Sequence, residues 1–428
     1  MNNAIRTDNR PIAVLGAGAV GLCAAAALHK AGYEVVVIDR AAPAQGGASL
    51  GNAGCINPSS IIPVAMPGVV RKVPGWLLQP DGPLVLRAAW LPRMLPWLTS
   101  FVRAGNAATV EASAAALQRL LAGNVEAWQA LAAQAGARDL LHDRGNLVVY
   151  STAEGHAADQ RAIRLRTDHG IAVETLDTAA LRDLEPDLAP VFTRGYLMPG
   201  NAHLTDPGEF LTRIADWLAT RGVEFRRAEI SGLRSNGSAV TEVVLTGETL
   251  PVQAVVIALG AWSGPLARTL GDRVLLDTER GYHVETPETE AGPRLPVMWG
   301  EGKVVVTPMH GRVRCAGTVE LAGLRAAPDW RRADLLARLL GRMYPRLTPG
   351  AERDGSAHMA RWLGFRPSTP DSLPVIGRSR RHANAVYAFG HGHVGLTAAP
   401  VTGRLVASLI AGRPAAIDLA PYSIDRFR

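Results

Sequence analysis

The feature that most constrains this chain lies near its start. The apolar run Ile12-Ala-Val-Leu15 meets Gly16-Ala-Gly18-Ala-Val20-Gly21, an alanine-rich stretch follows, and Val35-Val-Val-Ile-Asp39 closes the unit. Four apolar residues bounded by glycine read as a strand buried on both faces. Each glycine answers a separate need: a tight turn at Gly16, close approach of the backbone to a pyrophosphate at Gly18, and close packing of a helix on the sheet at Gly21. The helix then points unpaired N–H groups and the positive end of its dipole at the phosphates. Asp39 ends the second strand, where a carboxylate accepts hydrogen bonds from a ribose and repels a 2′-phosphate. A glycine pattern alone is weak evidence. Here strand, helix, second strand and acid occur in order, so adenine-dinucleotide binding is the expectation.

The 428 residues can bury a large core and are expected to form two domains. No stretch reads as an uninterrupted membrane-spanning run, and the polar first eleven residues are unlike a secretory signal. Cys23, Cys55 and Cys315 are too few and too scattered for a disulfide framework or a zinc site, which points to a reducing cytoplasm. The net charge of +7 comes mostly from dispersed arginines, with lysine only at 30, 72 and 303. No basic run with interleaved aromatics exists, so nucleic-acid binding is a poor reading. A basic surface suits anionic substrates or anionic lipid, although a solvated arginine-rich surface is the simpler account.

Residues 61–102 are rich in Pro and carry Trp76, Trp90 and Trp97 among Leu and Val. They read as a packed cap on the substrate side or as an apolar surface that touches a membrane. The pattern predicts one long helix over 107–135, a helix over 153–169, and a helix opened by Asp206-Pro207 and running to about Arg221. Ala254–Leu259 reads as a second apolar strand that ends at Gly260, and a closing helix is expected over 400–411. The fold class is α/β. A discontinuous nucleotide domain (1–60, 206–272, 356–428) is expected, with an α+β substrate domain (61–205, 273–355) inserted twice.

Four further motifs stand in order along the chain: Ala258-Leu-Gly260-Ala-Trp262, Gly364-Phe-Arg366-Pro-Ser-Thr-Pro-Asp371, and Gly390-His-Gly392-His393-Val394-Gly395-Leu396-Thr397, preceded by Ser49-Leu-Gly-Asn52-Ala53-Gly54. With the N-terminal unit they resemble the FAD-dependent amine and D-amino-acid oxidoreductases, the group of D-amino-acid oxidase, glycine oxidase and sarcosine oxidase. The Ser49–Gly54 stretch and Trp76-Leu-Leu-Gln-Pro-Asp-Gly-Pro83 look most like bacterial D-amino-acid dehydrogenases. The resemblance implies a Rossmann-like FAD domain of the glutathione-reductase and D-amino-acid oxidase type. It places Gly16, Gly18, Val20 and Gly21 at the pyrophosphate, Asp39 and Arg40 at the adenosine ribose, and Ile230 at the adenine. Ser49, Asn52, Ala53 and Gly54 would lie beside the flavin, with Ala258, Gly260 and Trp262 at the second strand end. Gly392, His393, Val394, Gly395, Leu396 and Thr397 would present backbone N–H groups to the flavin N1/O2 edge, where the reduced ring gathers negative charge.

On the substrate side the resemblance implies that Arg366 clamps a carboxylate, with Tyr282 adding a hydroxyl and His393 lying beside the flavin. The plainer readings are a domain-bridging ion pair for Arg366, a core tyrosine for Tyr282, and a histidine held only by its loop for His393; His283 and Arg280 are weaker candidates. The chemistry implied is loss of the Cα hydrogen as hydride to flavin N5 from a free amine, then hydrolysis of the imine to a 2-oxo acid and ammonia. No protein base is obligatory; positioning and electrostatics carry the rate. Sarcosine-oxidase relatives attach their flavin to a cysteine late in the chain; no cysteine follows Cys315 here, so the resemblance implies non-covalent FAD. The same relatives place a lysine by the flavin for reaction with oxygen; lysine is rare here, and Lys303, in the expected substrate domain, is a poor stand-in for it. The expectation is therefore a dehydrogenase that passes electrons to a quinone or other carrier. It is expected to be cytoplasmic, with peripheral contact on the inner face of the cell membrane as an extension. Alternatives are the same fold acting on secondary amines (D-hydroxyproline, D-proline, sarcosine or an opine-like compound), an NAD-dependent dehydrogenase, and a non-catalytic dinucleotide-binding subunit.

Overall fold

A computed structural model describes residues 9–69, 73, 75, 79, 82, 84–347 and 359–427. Trp76 and most of the 76–83 segment lie outside the described residues. The frame is a six-stranded sheet in the order Glu224–Arg227, Val35–Asp39, Ile12–Leu15, Ala254–Ile257, Ala385–Phe389, Val375–Arg378. All neighbours are parallel except the last pair. Its central strands are apolar at every position because both faces are covered. Ile12 and Val14 enter one core with the Ala19–Lys30, Pro207–Thr220 and Gly395–Ile410 helices. Ala13 and Leu15 enter another, beneath the three-stranded sheet of Ile230–Ser235, Val240–Leu245 and Glu248–Pro251.

The Pro207–Thr220 helix starts as the sequence indicates: the Glu209 N–H donates to Asp206 Oδ1 at 3.0 Å, with Pro207 in the first turn. The expected 107–135 helix is two helices, Ala107–Leu121 and Asn124–Gln134. The break comes at Gly123, which is left-handed (φ 68). Asn124 caps the first of them by donating to the Leu120 and Leu121 carbonyls at 2.8 and 3.0 Å. The 153–169 segment divides likewise into Ala153–Ala158 and Gln160–Asp168. The closing helix begins at Gly395, earlier than expected.

The helix of residues 124–134 departs from the expected grouping with the substrate segments. Trp128 and Ala132 share the apolar core of Ile12 and Leu22, and the Trp128 indole donates to the Leu396 carbonyl at 2.9 Å. Contrary to the reading of the sequence, one helix among the described residues, Gly392–Ile410, is long and apolar enough to cross a membrane by length and composition. It is largely buried inside the protein, and Gly403 packs so closely on the first helix that a Cβ there would meet the Cys23 carbonyl oxygen at 2.4 Å.

A nine-stranded sheet forms the second layer, with Asp277–Pro287 flanked by Ala360–Ser368 and Arg312–Leu321. One face packs on the Arg331–Met343 helix through Val284, Val306, Leu336 and Leu340. Glu185 is buried at the end of this core. Its Oε1 accepts from the Arg294 and Leu295 N–H groups at 2.8 and 3.1 Å, and its Oε2 accepts from the Tyr344 hydroxyl at 3.1 Å. Burial outweighs these bonds and raises its pKa from 4.5 to about 7. Between those two values the folded state holds the extra proton, so stability falls as pH rises through the interval. Glu185→Gln keeps the oxygen acceptor and removes the ionisation. The variant is expected to match or exceed the parent Tm at pH 8 and to lose that advantage towards pH 5, read by thermal unfolding across pH.

Candidate active site

The six-stranded sheet changes winding direction at its first strand, which lies between Val35–Asp39 and Ala254–Ile257. The carboxyl ends of such strands form a crevice at that switch point. A cavity of about 1270 Å³ opens there and continues under the second sheet. That exceeds the roughly 300–1,000 Å³ of an ordinary ligand pocket.

At one end, missing side chains make the room. Gly16 has φ +111, and a Cβ on it would meet the Ala258 carbonyl oxygen at 2.4 Å. A Cβ on Gly21 would fall 1.8 Å from the Gly16 carbonyl oxygen, so the helix can lie on the strand only with glycine there. Around a Cβ on Gly18 the nearest group is the Ser49 hydroxyl at 3.1 Å, which leaves that backbone open to the cavity. Asp39 stands at the end of its strand and accepts from the Ala17 and Ala41 N–H groups at 2.8 and 3.1 Å. Arg40 lies 4.4 Å over the Trp262 ring, and Ile230, Ala258 and Gly260 complete this end.

The Ser49–Gly54 loop forms a side wall and is pinned from behind. The Ser49 hydroxyl accepts from the Ala19 N–H at 3.1 Å, and Asn52 Oδ1 accepts from the Gly54 N–H at 2.9 Å. Gly51 lies flat under Trp362, whose ring would be 2.3 Å from a Cβ there. His283 stacks on Trp362 with ring centroids 4.9 Å apart, and its Nδ1–H donates to the Gly51 carbonyl at 3.0 Å. Burial lowers the His283 pKa to about 4, so it serves as a neutral brace. The opposite wall is the Gly392–Val394 turn and the start of the Gly395–Ile410 helix. The two histidines of this loop diverge: His391 is buried against the Thr402 hydroxyl at 3.1 Å, whereas His393 is exposed to the cavity. Thr397 accepts from the Asn57 N–H at 3.0 Å and joins the two walls. Gly21, Gly54 and Val394 are not on the cavity surface; Gly54 packs on the Leu204 carbonyl and Val394 in a core.

The second sheet supplies the charged end. Glu279 and Arg366 are direct cross-strand partners, as are Gly281 and Gly364. Arg366 lines the cavity and donates to the Thr318 carbonyl at 3.1 Å; among the described residues no carboxylate lies within 4.0 Å of it. Its guanidinium occupies the space above Gly281, where a Cβ would come within 2.3 Å. Opposite Gly281 the Arg312–Leu321 strand carries one extra residue, and Thr318 there has φ 58. A β-branched residue in that region is strained, and the bulge turns its carbonyl to Arg366. Burial lowers the Arg366 pKa, opposed by Glu279. Enclosure by the cavity walls likewise lowers that of His393; Glu279 opposes the shift and Arg366 adds to it.

Tyr282 contributes to the wall but not in the expected role. Its hydroxyl donates to Glu320 Oε2 at 2.5 Å and accepts from the Asp329 N–H at 2.9 Å, on the side of the strand away from Arg366. Strand alternation explains this: Arg280 and Tyr282 share one face, Glu279 and Gly281 the other. Arg280 is fully buried there with Glu320. The residues missed are Glu279, Gly281, Thr318 and Trp362. Alternation in the Glu279–His283 run is the signal that could have separated the first two from Tyr282.

A sequence model of the family described as FAD dependent oxidoreductase matches residues 11–409, and the chain belongs to that family. A D-amino-acid oxidase of Bradyrhizobium diazoefficiens is 40% identical over 98% of this chain and 99% of its own. A D-amino acid dehydrogenase of a Methylobacterium species is 33% identical over 97% and 99%. Among solved structures, glycine oxidase from Geobacillus kaustophilus superposes with a TM-score of 0.73 at 22% identity, covering 96% of this chain and 97% of that one. L-proline dehydrogenase from P. horikoshii gives 0.74 at 18%, covering 98% and 97%. The cofactor is FAD, and the glycine cradle and helix N-termini fit it. Gly21→Ala is expected to force the first helix off its strand, at about 1–3 kcal/mol. The purified variant should retain little flavin absorbance per protein, while Gly200→Ala, with nothing within 4 Å, retains the parent value.

Proposed function

We propose that the protein oxidises D-amino acids to 2-oxo acids and ammonia and hands the electrons to a quinone or other carrier. The observation that carries the substrate side is Arg366, a guanidinium on the cavity wall without a carboxylate partner among the described residues. A desolvated cation of this kind is costly unless an anion meets it. A fixed fork seated over Gly281 suits bidentate pairing with a substrate carboxylate. Gly16, Gly18 and Asp39 hold the ADP part of FAD in this reading, and the Ser49–Gly54 and Gly392–Thr397 walls enclose its ring. Bound FAD would supply a two-electron acceptor for the hydride from the substrate Cα. The chain holds the carboxylate at Arg366 and keeps the chamber walled by apolar side chains such as Trp97, Phe101 and Leu321. The names of the two relatives support D-amino acids as the class.

Non-covalent attachment is part of the proposal. Cys23 and Cys315 are buried, and burial raises the thiol pKa of Cys55, on the cavity, to about 12, which keeps it protonated. A cytoplasmic protein resting on the membrane is likewise proposed. On the Leu91–Ala104 helix Leu95 is 53% exposed, and Val102, 52% exposed, lines the cavity with Leu98 and Phe101. Such a surface suits a carrier dissolved in lipid.

Anaerobic mixing with a panel of D-amino acids, proline derivatives and N-methylglycine tests the proposal. A primary D-amino acid should bleach the flavin absorbance, and a quinone analogue should restore it faster than air. Bleaching only by cyclic or N-substituted amines moves the reading to secondary amines, and bleaching by none overturns it. Arg366→Ala is expected to keep its FAD and to raise KM at least about tenfold, since a charge-assisted pair contributes about 1.5–3 kcal/mol. A KM within twofold of the parent's would remove Arg366 from the carboxylate role.

A further inference from the structure

Glu279 is a charged group in the cavity to which the substrate reading gives no task. It is 8% exposed, and what it exposes faces the cavity. It stands directly across from Arg366, where same-face neighbours have Cβ atoms about 4.5–5.5 Å apart. Yet the two form no ion pair. Each is held by a partner of its own: the Ser368 hydroxyl donates to Glu279 Oε1 at 2.6 Å, and Arg366 donates to the Thr318 carbonyl at 3.1 Å. Ser368 is itself fixed, because its carbonyl accepts from the Trp97 indole at 3.2 Å. Glu279 Oε2 has no partner among the described residues.

Resting on the amino-acid reading of the cavity, we propose that Glu279 binds the substrate's amino group. Two adjacent strands then present a cation and an anion, side by side but not hydrogen-bonded to each other, to the two charged ends of one zwitterion. A buried carboxylate is costly unless a cation meets it. The substrate ammonium provides that cation on binding without displacing Arg366 from the carboxylate, and it passes one proton to the Glu279 carboxylate before the Cα hydrogen leaves, so that the free amine is the species that reacts. A plain carboxylic acid, with no amino group, gains Arg366 but meets Glu279 as a like charge, so the pair also discriminates against such ligands.

The test compares two ligands on the FAD-loaded protein. KM is measured for the D-amino acid that bleaches fastest, and Kd for benzoate is measured from the perturbed flavin spectrum. Glu279→Gln is expected to raise KM about tenfold or more, because a hydrogen bond to a charged group is lost, and to bind benzoate as tightly as the parent or more tightly. Glu279→Asp, which keeps the charge, should recover part of the KM. If Glu279→Gln fails to load FAD, the Asp variant decides: an amino-acid KM raised while benzoate Kd holds supports the proposal. Parallel weakening of both ligands, or no change in either, overturns the assignment. If the parent protein neither oxidises a D-amino acid nor binds benzoate, the underlying function reading fails, and the proposal with it.

Discussion

The structure depends on one close contact: the Gly16 carbonyl oxygen occupies the place where any side chain at Gly21 would stand, at 1.8 Å from a Cβ. Because that space is filled by backbone, the first helix lies tight on the first strand, and its N-terminus is fixed at the strand's carboxyl end. The rest of the crevice is arranged around this point. Residues more than two hundred positions later return to it, so that the Ala258 carbonyl packs on Gly16 and the closing helix packs through Gly403 on the Cys23 backbone. Anion binding at a helix N-terminus needs unpaired N–H groups in a fixed place, and close backbone packing fixes them more firmly than side chains would.

The second sheet solves a different problem, that of holding a bare cation in a largely apolar chamber. It does so with a glycine and a bulge. Gly281 clears the floor under the Arg366 guanidinium, and the extra residue opposite it brings the Thr318 carbonyl to the same group. The positive φ of Thr318 costs of order 1–3 kcal/mol and is sustained by the surrounding ladder. A local cost of that kind at a binding group is where sequence rules fail for functional reasons.

Legibility followed the range of the interactions. The Ile12–Asp39 unit was readable almost completely, since its strand, turn, helix and acid are contiguous, and the Asp206-Pro207 helix start was readable for the same reason. The helix break at Gly123 was misread although the glycine was visible, because the alanine-rich helical pattern continues on both sides of a single left-handed residue. Arg366 was legible through its motif, but its seat was not: Gly281 and Thr318 reach it only through the register of strands far apart in the chain. The role that the resemblance implied for Tyr282 is not the one its geometry favours: strand parity puts its hydroxyl on Glu320, in line with the plainer reading of a core tyrosine.

That parity bears on how the site is kept. A slip of one residue in the Asp277–Pro287 strand would turn Glu279 and Gly281 away from the cavity and bring Arg280 and Tyr282 into it. The face turned from the cavity guards against this. Arg280 and Glu320 are both fully buried and paired at 3.3 Å, and Tyr282 donates to the same carboxylate. Breaking a buried pair leaves an uncompensated charge and costs about 3–5 kcal/mol. As a source of net stability the pair is poor, because an apolar pair of similar volume would serve as well. Its value lies in register: in the observed pairing Arg280 meets Glu320, which Arg87 also holds at 2.6 Å, and a slip would part Arg280 from that carboxylate. The network behind the strand therefore sets which residues face the cavity, and Glu279 and Arg366 owe their positions there to groups that never touch it.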